Sequence, residues 1–266
     1  MSRPAVAVLL SVHNGAPWVG DAIASVLGQT DRELELIVVD DGSTDATPAV
    51  LALAAAGDGR VRVVRQHHAG LTKALNRALA LAAAPLVARL DADDVALPER
   101  IARQRAFLEA HPDVGLLGTA CREVDAAGRE LRVVRPPTDD AALRRALIRR
   151  NPFVHSSVML RRALATAAGG YDESLAVAQD YDLWMRLSSS TRLANLTEPL
   201  VTRRLVVGRV TALRDDERLR AEARVRWRAV RAGLYPWWCA IFAARAAVAL
   251  ALPPSLRRAL RRAAAA

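Results

Sequence analysis

Short apolar runs alternate with helical segments through the first 90 residues. Strands are predicted over 5–10, 34–39, 60–66 and 85–90, and helices over 18–27, 47–56 and 71–83. Strands that alternate with helices form a parallel sheet with helices on both faces. We therefore expect an α/β fold. The loops 11–17, 40–45 and 91–94 should gather at one edge of its sheet, because each follows the end of a strand.

Three carboxylates stand within four residues at the end of the fourth strand. They are Asp91, Asp93 and Asp94, and they follow the run 85–90. Like charges this close repel one another unless a cation or solvent compensates them. Hard divalent cations prefer oxygen ligands, and Mg²⁺ typically takes one or two carboxylates together with substrate phosphates. The cluster therefore indicates a metal–diphosphate site, with an acidic turn before the helix opened by Pro98 as the alternative.

A second acidic strand end follows residues 34–39. Gly42 permits a tight turn, and helix capping explains the polar residues 43–45 without any ligand. Capping does not explain Asp40 and Asp41 together. A carboxylate at the carboxyl end of a sheet can accept hydrogen bonds from a nucleotide base or a ribose hydroxyl.

These strand ends carry recognisable sequence strings, which are VAVLLSVHN at 6–14, VDDGSTD at 39–45 and RLDADD at 89–94. In this order and spacing they resemble the nucleotide-binding half of family 2 glycosyltransferases with the GT-A fold. The resemblance continues through GLTKALN at 70–76, NPFVHSSVM at 151–159, GGYDE at 169–173 and QDYDLWMRL at 179–187. It covers residues 4–205, about three quarters of the chain.

The resemblance implies a GT-A type α/β fold with a mostly parallel central sheet and a nucleotide-diphosphate-sugar donor, which we expect to be a UDP-sugar. It implies nucleotide contacts from Ser11, Val12, Asn14, Asp41, Lys73, Asn76 and Asp93. It also implies Mg²⁺ or Mn²⁺ held by Asp94 and Asp93, with Asp91 close by. Such a metal stabilises the negative charge that develops on the leaving diphosphate.

By the same resemblance, Asp180 is the general base that deprotonates the acceptor hydroxyl. Attack on the side of the sugar opposite to the diphosphate inverts the anomeric configuration. The preceding position, commonly Glu in the family, is Gln179 here, which removes one charge beside the base. The alternative for Asp180 is an N-cap on a helix predicted over 181–187.

Acceptor or phosphate contacts are predicted for three further residues, which are His155, Gln179 and Arg204. A lone histidine is more often structural, so both readings of His155 stay open. In the family, a histidine often comes after the arginine that corresponds to Arg204, and this chain lacks that histidine. Arg89 is expected to form a structural ion pair, and Trp184 is expected in the core.

Composition excludes several classes. The chain has 266 residues, 52% of them hydrophobic, so it can bury a core without disulfides, and its 2 cysteines form neither a disulfide framework nor a metal spacing. No phosphate-loop motif, dinucleotide glycine motif or Ser-His-Asp order stands out. The N-terminus lacks an apolar signal region followed by a cleavage site, so we expect a cytoplasmic protein.

Positive charge is concentrated in a helical extension over 206–266, separate from a glycosyltransferase domain over 1–205. From residue 203 onward there are 15 arginines and 4 acidic residues. The aromatic and aliphatic stretch 237–252 is too short to span a bilayer and contains Arg245. Residues 233–266 therefore indicate either peripheral contact with the inner face of the plasma membrane or a helical hairpin on the domain. Nucleic acid is not expected as a partner.

Together these features predict an inverting, metal-dependent glycosyltransferase that acts on a glycan or lipid-linked acceptor in cell-envelope or exopolysaccharide synthesis. One alternative is a polyprenyl-phosphate glycosyltransferase. Another is a nucleotide-sugar binding protein without turnover, against which the intact acidic residues argue. A nucleotidyltransferase would ordinarily show a glycine-rich and basic loop after the first strand, and residues 13–17 contain no such loop.

Overall fold

A nine-stranded sheet carries helices on both faces within residues 3–205 and 215–251, the part of the chain that this computed structural model describes. The strands are β1 (Val6–Val12), β2 (Leu34–Asp41), β3 (Val61–Gln66), β4 (Leu86–Arg89), β5 (Val95–Ala96), β6 (Val114–Val124), β7 (Glu130–Val134), β8 (Met159–Arg161) and β9 (Arg192–Arg204). The helices are α1 (Val19–Leu27), α2 (Thr47–Gly57), α3 (Leu71–Leu81), α4 (Arg100–Ala110), α5 (Asp140–Leu147), α6 (Arg162–Ala167), α7 (Gln179–Leu187), α8 (Asp215–Arg231) and α9 (Ala240–Ala251). Short 3₁₀ helices cover His155–Ser157 and Trp237–Cys239.

The strand order is β3-β2-β1-β4-β8-β6-β9-β5, with β7 paired to β6. Strands β1 to β4 are parallel to one another, β8 runs antiparallel between β4 and β6, and β9 is parallel to β6. The loops after β1, β2 and β4 therefore end at the same edge. This arrangement confirms the predicted fold class, an α/β fold with a mostly parallel sheet of GT-A type.

Burial on both faces explains why the central strands read as continuous apolar runs. Along β1, Ala7 and Leu9 pack into the core that contains α3 and α7, whereas Val6, Val8 and Leu10 pack into the core under α1 and α4. Successive side chains of a strand point to opposite faces, so both sets must be apolar.

One element boundary near the site differs from the prediction. The helix predicted over 181–187 starts at Gln179, and its N-cap is Ala178 with a φ of 60°. Asp180 therefore lies in the first helical turn, and the alternative that made it the N-cap is wrong.

The described part of the extension is a helical hairpin, formed by α8 and α9, that packs on α7. Val225, Ala229 and Cys239 belong to the same apolar core as Trp184 of α7. Of the two predicted alternatives for the tail, hairpin packing is what residues 215–251 show. Residues 206–214 and 252–266 of the predicted extension lie outside the described residues, and the domain boundary after residue 205 stays a prediction.

Candidate active site

One cleft of about 460 Å³ collects side chains from distant segments of the chain. Among the residues predicted from the sequence, it is lined by Asp91, Asp93, His155, Gln179 and Asp180. Asp91 and Asp93 come from the loop after β4, whereas Gln179 and Asp180 come from the start of α7. The fold therefore places the predicted metal–diphosphate turn and the predicted base in one cleft.

The acidic turn, residues 91–94, brings three carboxylates close together. Each of Asp91, Asp93 and Asp94 offers an oxygen, and these three oxygens lie within 4.8 Å of one another. The Asp94 backbone N–H donates to the Asp91 carbonyl at 3.2 Å, which closes the turn. Asp91 and Asp93 are partly exposed to the cleft, whereas Asp94 is fully buried beneath them.

Ser156 connects two of these carboxylates. Its Oγ lies 2.6 Å from Asp91 and 2.5 Å from Asp94. A hydroxyl has one proton and can donate to only one of them. Burial, with the nearby charges of Asp91 and Asp93, raises the pKa of Asp94 to about 7. A protonated Asp94 can donate to Ser156 while Ser156 donates to Asp91, which satisfies both contacts.

Two buried arginines, Arg89 and Arg100, lie next to the acidic turn. Arg89 forms an ion pair with Asp91, which confirms its expected structural role. Arg100 of α4 donates to the Arg89 carbonyl at 2.7 Å and to the Val158 carbonyl at 3.2 Å. Burial, with the neighbouring Arg89, lowers the pKa of Arg100 to about 9. The positive charge beneath the turn offsets part of the repulsion among its carboxylates.

The donor set fits a hard divalent cation. Carboxylate oxygens are the preferred ligands of Mg²⁺ and Mn²⁺, and two of the three carboxylates open onto the cleft. Asp94 also accepts a hydrogen bond from the Arg204 backbone N–H at 2.9 Å, in addition to its contact with Ser156. The geometry therefore favours Asp91 and Asp93 as the cleft-facing ligands, with Asp94 supporting them. The assignment of individual ligands remains a prediction.

Asp180 is oriented by a residue that the sequence reasoning did not assign. The side-chain N–H of Asn151 donates to the Asp180 carboxylate at 2.7 Å. Asp180 lies in the first turn of α7. Ala178, which lies two residues before Asp180, has a φ of 60°, a strained conformation for a residue with a Cβ. The chain thus bends sharply to present this carboxylate to the cleft.

His155 is enclosed by aromatic rings at the wall of the cleft. Its ring lies edge-on to Trp184 and Tyr171, with centroids 6.1 and 5.9 Å away, and its Nε2 is 3.2 Å from the Tyr171 hydroxyl. Burial, with a contribution from Arg89, lowers the pKa of His155. The ring is therefore neutral at physiological pH, and it borders the cleft as a hydrogen-bonding group rather than as a cation.

The predicted base-binding loops are tied together by their own side chains. The Asn14 Oδ1 accepts from the backbone N–H of Thr44 at 2.8 Å, and the Asn14 N–H donates to Ser43 at 2.9 Å. Asp41 accepts from the backbone N–H groups of Ala69 and Gly70, both at 2.8 Å. Burial opposes ionisation of Asp41, but these hydrogen bonds keep its pKa below the ordinary value.

The remaining nucleotide-contact predictions fall in different surroundings. Ser11 and Val12 are buried at the end of β1, and Lys73 is exposed on α3. Asn76 donates from its amide to the Tyr171 carbonyl and to Glu173, both at 2.9 Å. The Asn76 amide therefore joins α3 to the loop before α7, and this bridging contact was not expected from the sequence.

Arg204 lies next to the acidic turn but is held by the protein. Its guanidinium stacks over the Trp18 ring at 4.1 Å and lies 3.6 Å from Asp21. One Nη lies 3.4 Å from the Asp93 carbonyl. These contacts fix Arg204 at the back of the acidic turn, and its predicted contact with acceptor or phosphate stays a prediction.

Several residues at the site were not predicted from the sequence. Those that border the cleft or support it are Asn151, Ser156, Arg203, Arg218 and Glu222. Asn151 and Ser156 stand inside the string 151–159 that carried the resemblance, which is the signal that could have found them. Arg218 and Glu222 show a helical spacing of four residues, which is too common on surface helices to indicate a site.

The fold and the cleft define an α/β protein of the GT-A type. The family model described as glycosyl transferase family 2 matches residues 7–166, so the chain belongs to this family. One relative is the amylovoran biosynthesis glycosyltransferase AmsE of Erwinia amylovora. It is 34% identical over 198 residues, which cover 73% of this chain and 74% of that protein.

Solved structures show the same fold. The crystal structure of Staphylococcus aureus TarS 1–349 with UDP superimposes with a TM-score of 0.67 at 20% identity, over 85% of this chain and 65% of that chain. The mannosyltransferase PcManGT from Pyrobaculum calidifontis, in complex with GDP-Man and Mn²⁺, superimposes with a TM-score of 0.63 at 24% identity. That match covers 100% of this chain and 80% of the other.

Proposed function

We propose that this protein transfers a sugar, with inversion, from a UDP-sugar to an acceptor hydroxyl in a metal-dependent reaction. One observation carries the proposal: a single cleft is lined both by Asp91 and Asp93 of the acidic turn and by Asp180 of α7. A carboxylate pair that suits a metal–diphosphate and a separate carboxylate that suits a base are the two groups that a single displacement needs.

Asp180 acts as the general base in this proposal. The Asn151 amide, 2.7 Å away, occupies one carboxylate oxygen and fixes the rotamer, so the other oxygen is available for the acceptor hydroxyl. Accepting the proton while the hydroxyl oxygen attacks the anomeric carbon raises the nucleophilicity of that oxygen at the moment of transfer. Attack from the Asp180 side, opposite to the leaving diphosphate, gives inversion.

The acidic turn binds the donor. Asp91 and Asp93, supported by Asp94, would hold Mg²⁺ or Mn²⁺, which neutralises charge on the leaving nucleoside diphosphate when bound. The Ser156 hydroxyl and Arg89 fix the Asp91 carboxylate from two sides, so the ligand geometry is set before the donor arrives. The base and ribose side of this site is formed or supported by Ser11, Val12, Asn14, Asp41, Lys73 and Asn76.

The name of AmsE and the UDP bound to TarS support a UDP-sugar donor and an acceptor in exopolysaccharide or cell-envelope glycan synthesis. A cytoplasmic location, with peripheral contact at the inner membrane face, completes the proposal. On the C-terminal hairpin, Trp237, Trp238, Ile241 and Val248 are exposed although they are large and apolar. Among the described residues, no helix is both long and apolar enough to cross a bilayer.

Donor turnover tests the proposal. The full chain should bind UDP in calorimetry only when Mn²⁺ is present, and it should release sugar from one of a set of UDP-, GDP-, dTDP- and CDP-sugars. Proton NMR of the fresh product should show the anomeric configuration opposite to that of the donor. Binding of UDP without hydrolysis or transfer in any condition would instead support a nucleotide-sugar binding protein.

Membrane contact has its own test. Co-sedimentation with vesicles of anionic lipid should retain the wild-type protein at low salt and lose it at high salt. The double variant Trp237→Ser and Trp238→Ser should stay in the supernatant, because interfacial binding depends on buried apolar area. Leu53→Ser, which changes an exposed apolar residue of α2, is the matched control. Equal sedimentation of all three proteins would contradict the contact.

A further inference from the structure

The C-terminal hairpin supplies one wall of the active-site cleft. Arg218 and Glu222 of α8 line it together with Asp91, Asp93 and Asp180. The family model ends at residue 166, so α8 lies outside the matched region. A helix outside the matched region thus lines the same cleft as the proposed metal ligands and the proposed base.

A ladder of ion pairs fixes this wall. Arg218 contacts Asp215 at 2.7 Å and Glu222 at 2.5 Å. The other oxygen of Glu222 accepts from Arg226 at 2.8 Å. These side chains recur every three or four residues, so they share one face of α8.

Arg226 connects the ladder to the helix of the proposed base. It is buried, and its guanidinium donates to the Tyr181 hydroxyl at 3.2 Å and to the Arg149 carbonyl at 3.0 Å. Tyr181 follows Asp180 directly in α7. The positions of Glu222 and Asp180 are therefore coupled through two buried side chains, which suits two groups that act on one bound molecule.

The chemistry of the wall matches a saccharide. A carboxylate accepts hydrogen bonds from hydroxyl groups and a guanidinium donates to them, so the adjacent Glu222 and Arg218 can bind neighbouring hydroxyls of one sugar ring. Their side chains are only 18% and 24% exposed, and such hydrogen bonds are stronger there than in open water. Phe153 and Val177 add apolar surface to the same cleft.

We infer that Arg218 and Glu222 form the acceptor subsite, where they bind the hydroxyl groups of the terminal sugar of the acceptor. The inference rests on the proposed function, because it takes the acidic turn as the donor side and Asp180 as the base. The part of the cleft wall that α8 forms is then the acceptor side. Free glycans and lipid-linked saccharides share this chemistry.

The test separates acceptor binding from donor binding. Methyl glycosides of glucose, galactose, N-acetylglucosamine and mannose serve as probes in ligand-observed NMR, with the full chain saturated with UDP and Mg²⁺. Glu222→Gln and Arg218→Gln should each weaken binding of the best glycoside at least tenfold, while UDP–Mg²⁺ affinity and donor hydrolysis change less than twofold. Arg224→Gln, which changes an exposed arginine of the same helix, should leave all three unchanged.

Several outcomes overturn the inference. Equal glycoside binding by the wild type and both variants removes the subsite, as does the absence of glycoside binding in a wild type that binds UDP–Mg²⁺. Weaker UDP binding in Arg218→Gln assigns that arginine to the diphosphate instead. Should a variant unfold, Arg218→Lys keeps the charge but loses the paired donors, and it should still weaken the glycoside. Failure of the wild type to bind UDP–Mg²⁺ refutes the proposed function rather than this subsite.

Discussion

The N-terminal sheet and the C-terminal hairpin are held in place by different forces. Strands β1, β2 and β4 are buried on both faces of the sheet, and Leu10 and Leu36 have no exposed surface. The hairpin rests on α7 through a mixed interface, in which Val225 packs in the core while the buried Arg226 bonds to Tyr181 and pairs with Glu222.

The two regions should therefore differ in which substitutions they accept. Apolar burial tolerates substitution by another residue of similar volume, so the sheet can keep its shape while its buried residues change. A buried arginine requires all of its partners at once, because an unsatisfied charge in the interior is costly. The interface between the hairpin and α7 therefore depends on a few specific polar residues.

The greatest change is expected in kcat when the proposed general base is replaced. Asp180→Asn should lower kcat on the order of 10³-fold, since removal of a general base typically costs between 10² and 10⁴. The affinity for UDP–Mn²⁺ should stay unchanged in calorimetry. Asn151→Ala keeps the carboxylate and loses only its orientation, so it should cost less. Full transfer activity in Asp180→Asn would contradict the role of the base.

Stability measurements compare the two kinds of packing directly. Leu36→Ala should lower the free energy of unfolding by about 2 to 5 kcal/mol, through a cavity in the sheet. Arg226→Met should cost about 3 kcal/mol because Glu222 loses one partner and the Tyr181 hydroxyl loses its donor. Hydrogen exchange should accelerate throughout the sheet in the first variant and mainly in α7 and α8 in the second.

Arg224→Met is the control for the hairpin, since Arg224 is exposed and its replacement should change stability by less than about 0.5 kcal/mol. Uniform acceleration of exchange in Arg226→Met would show that the hairpin and the sheet unfold as one unit.

Donor binding should depend on the acidic turn. Asp93→Ala should weaken Mn²⁺-dependent UDP binding by at least roughly 100-fold. Loss of a residue that only supports a metal ligand lowers metal affinity by up to about that factor, so loss of a ligand itself should cost at least as much. Without metal, neither the wild type nor this variant should bind UDP. Glu198→Gln, an exposed carboxylate of β9, is the control. An unchanged metal dependence would remove Asp93 from the ligand set.

The smallest effect concerns an ion pair that ties the hairpin to the domain. Burial would raise the pKa of Asp172, but hydrogen bonds from Ser174 and Arg228 lower it to about 2. A folded-state pKa below the unfolded value stabilises the protein above about pH 4, and this contribution is lost as the pH falls towards 2. Asp172→Asn should thus be less stable at pH 7 by about 1 to 2 kcal/mol, given the partial exposure of the pair.

Thermal unfolding from pH 7 to pH 2 tests this linkage. The difference in Tm between the wild type and Asp172→Asn should shrink as the pH falls, while the exposed control Glu130→Gln should show no such convergence. A constant difference across the range would show that Asp172 does not titrate with the low pKa.

Sequence reasoning worked best where local pattern and structure coincide. The ends of β1, β2 and β4 were located within two residues, because a buried parallel strand followed by polar residues is a strong local signal. It did not anticipate the left-handed conformation of Ala178 before α7, which no local preference of alanine predicts. It also did not anticipate that Asn76 bridges to the loop before α7.

The alternation of strands and helices, the polar loops at one sheet edge and the crowding of Asp91, Asp93 and Asp94 can be read from the amino-acid sequence, since each follows from residues close together in the chain. Two other contacts are visible only in the folded protein: Ser156 bridges two of those carboxylates, and Asn151 orients Asp180. These partners are 65 and 29 positions apart in the chain. No periodicity encodes such contacts, because they arise when packing of the apolar faces brings remote polar groups to the same cleft.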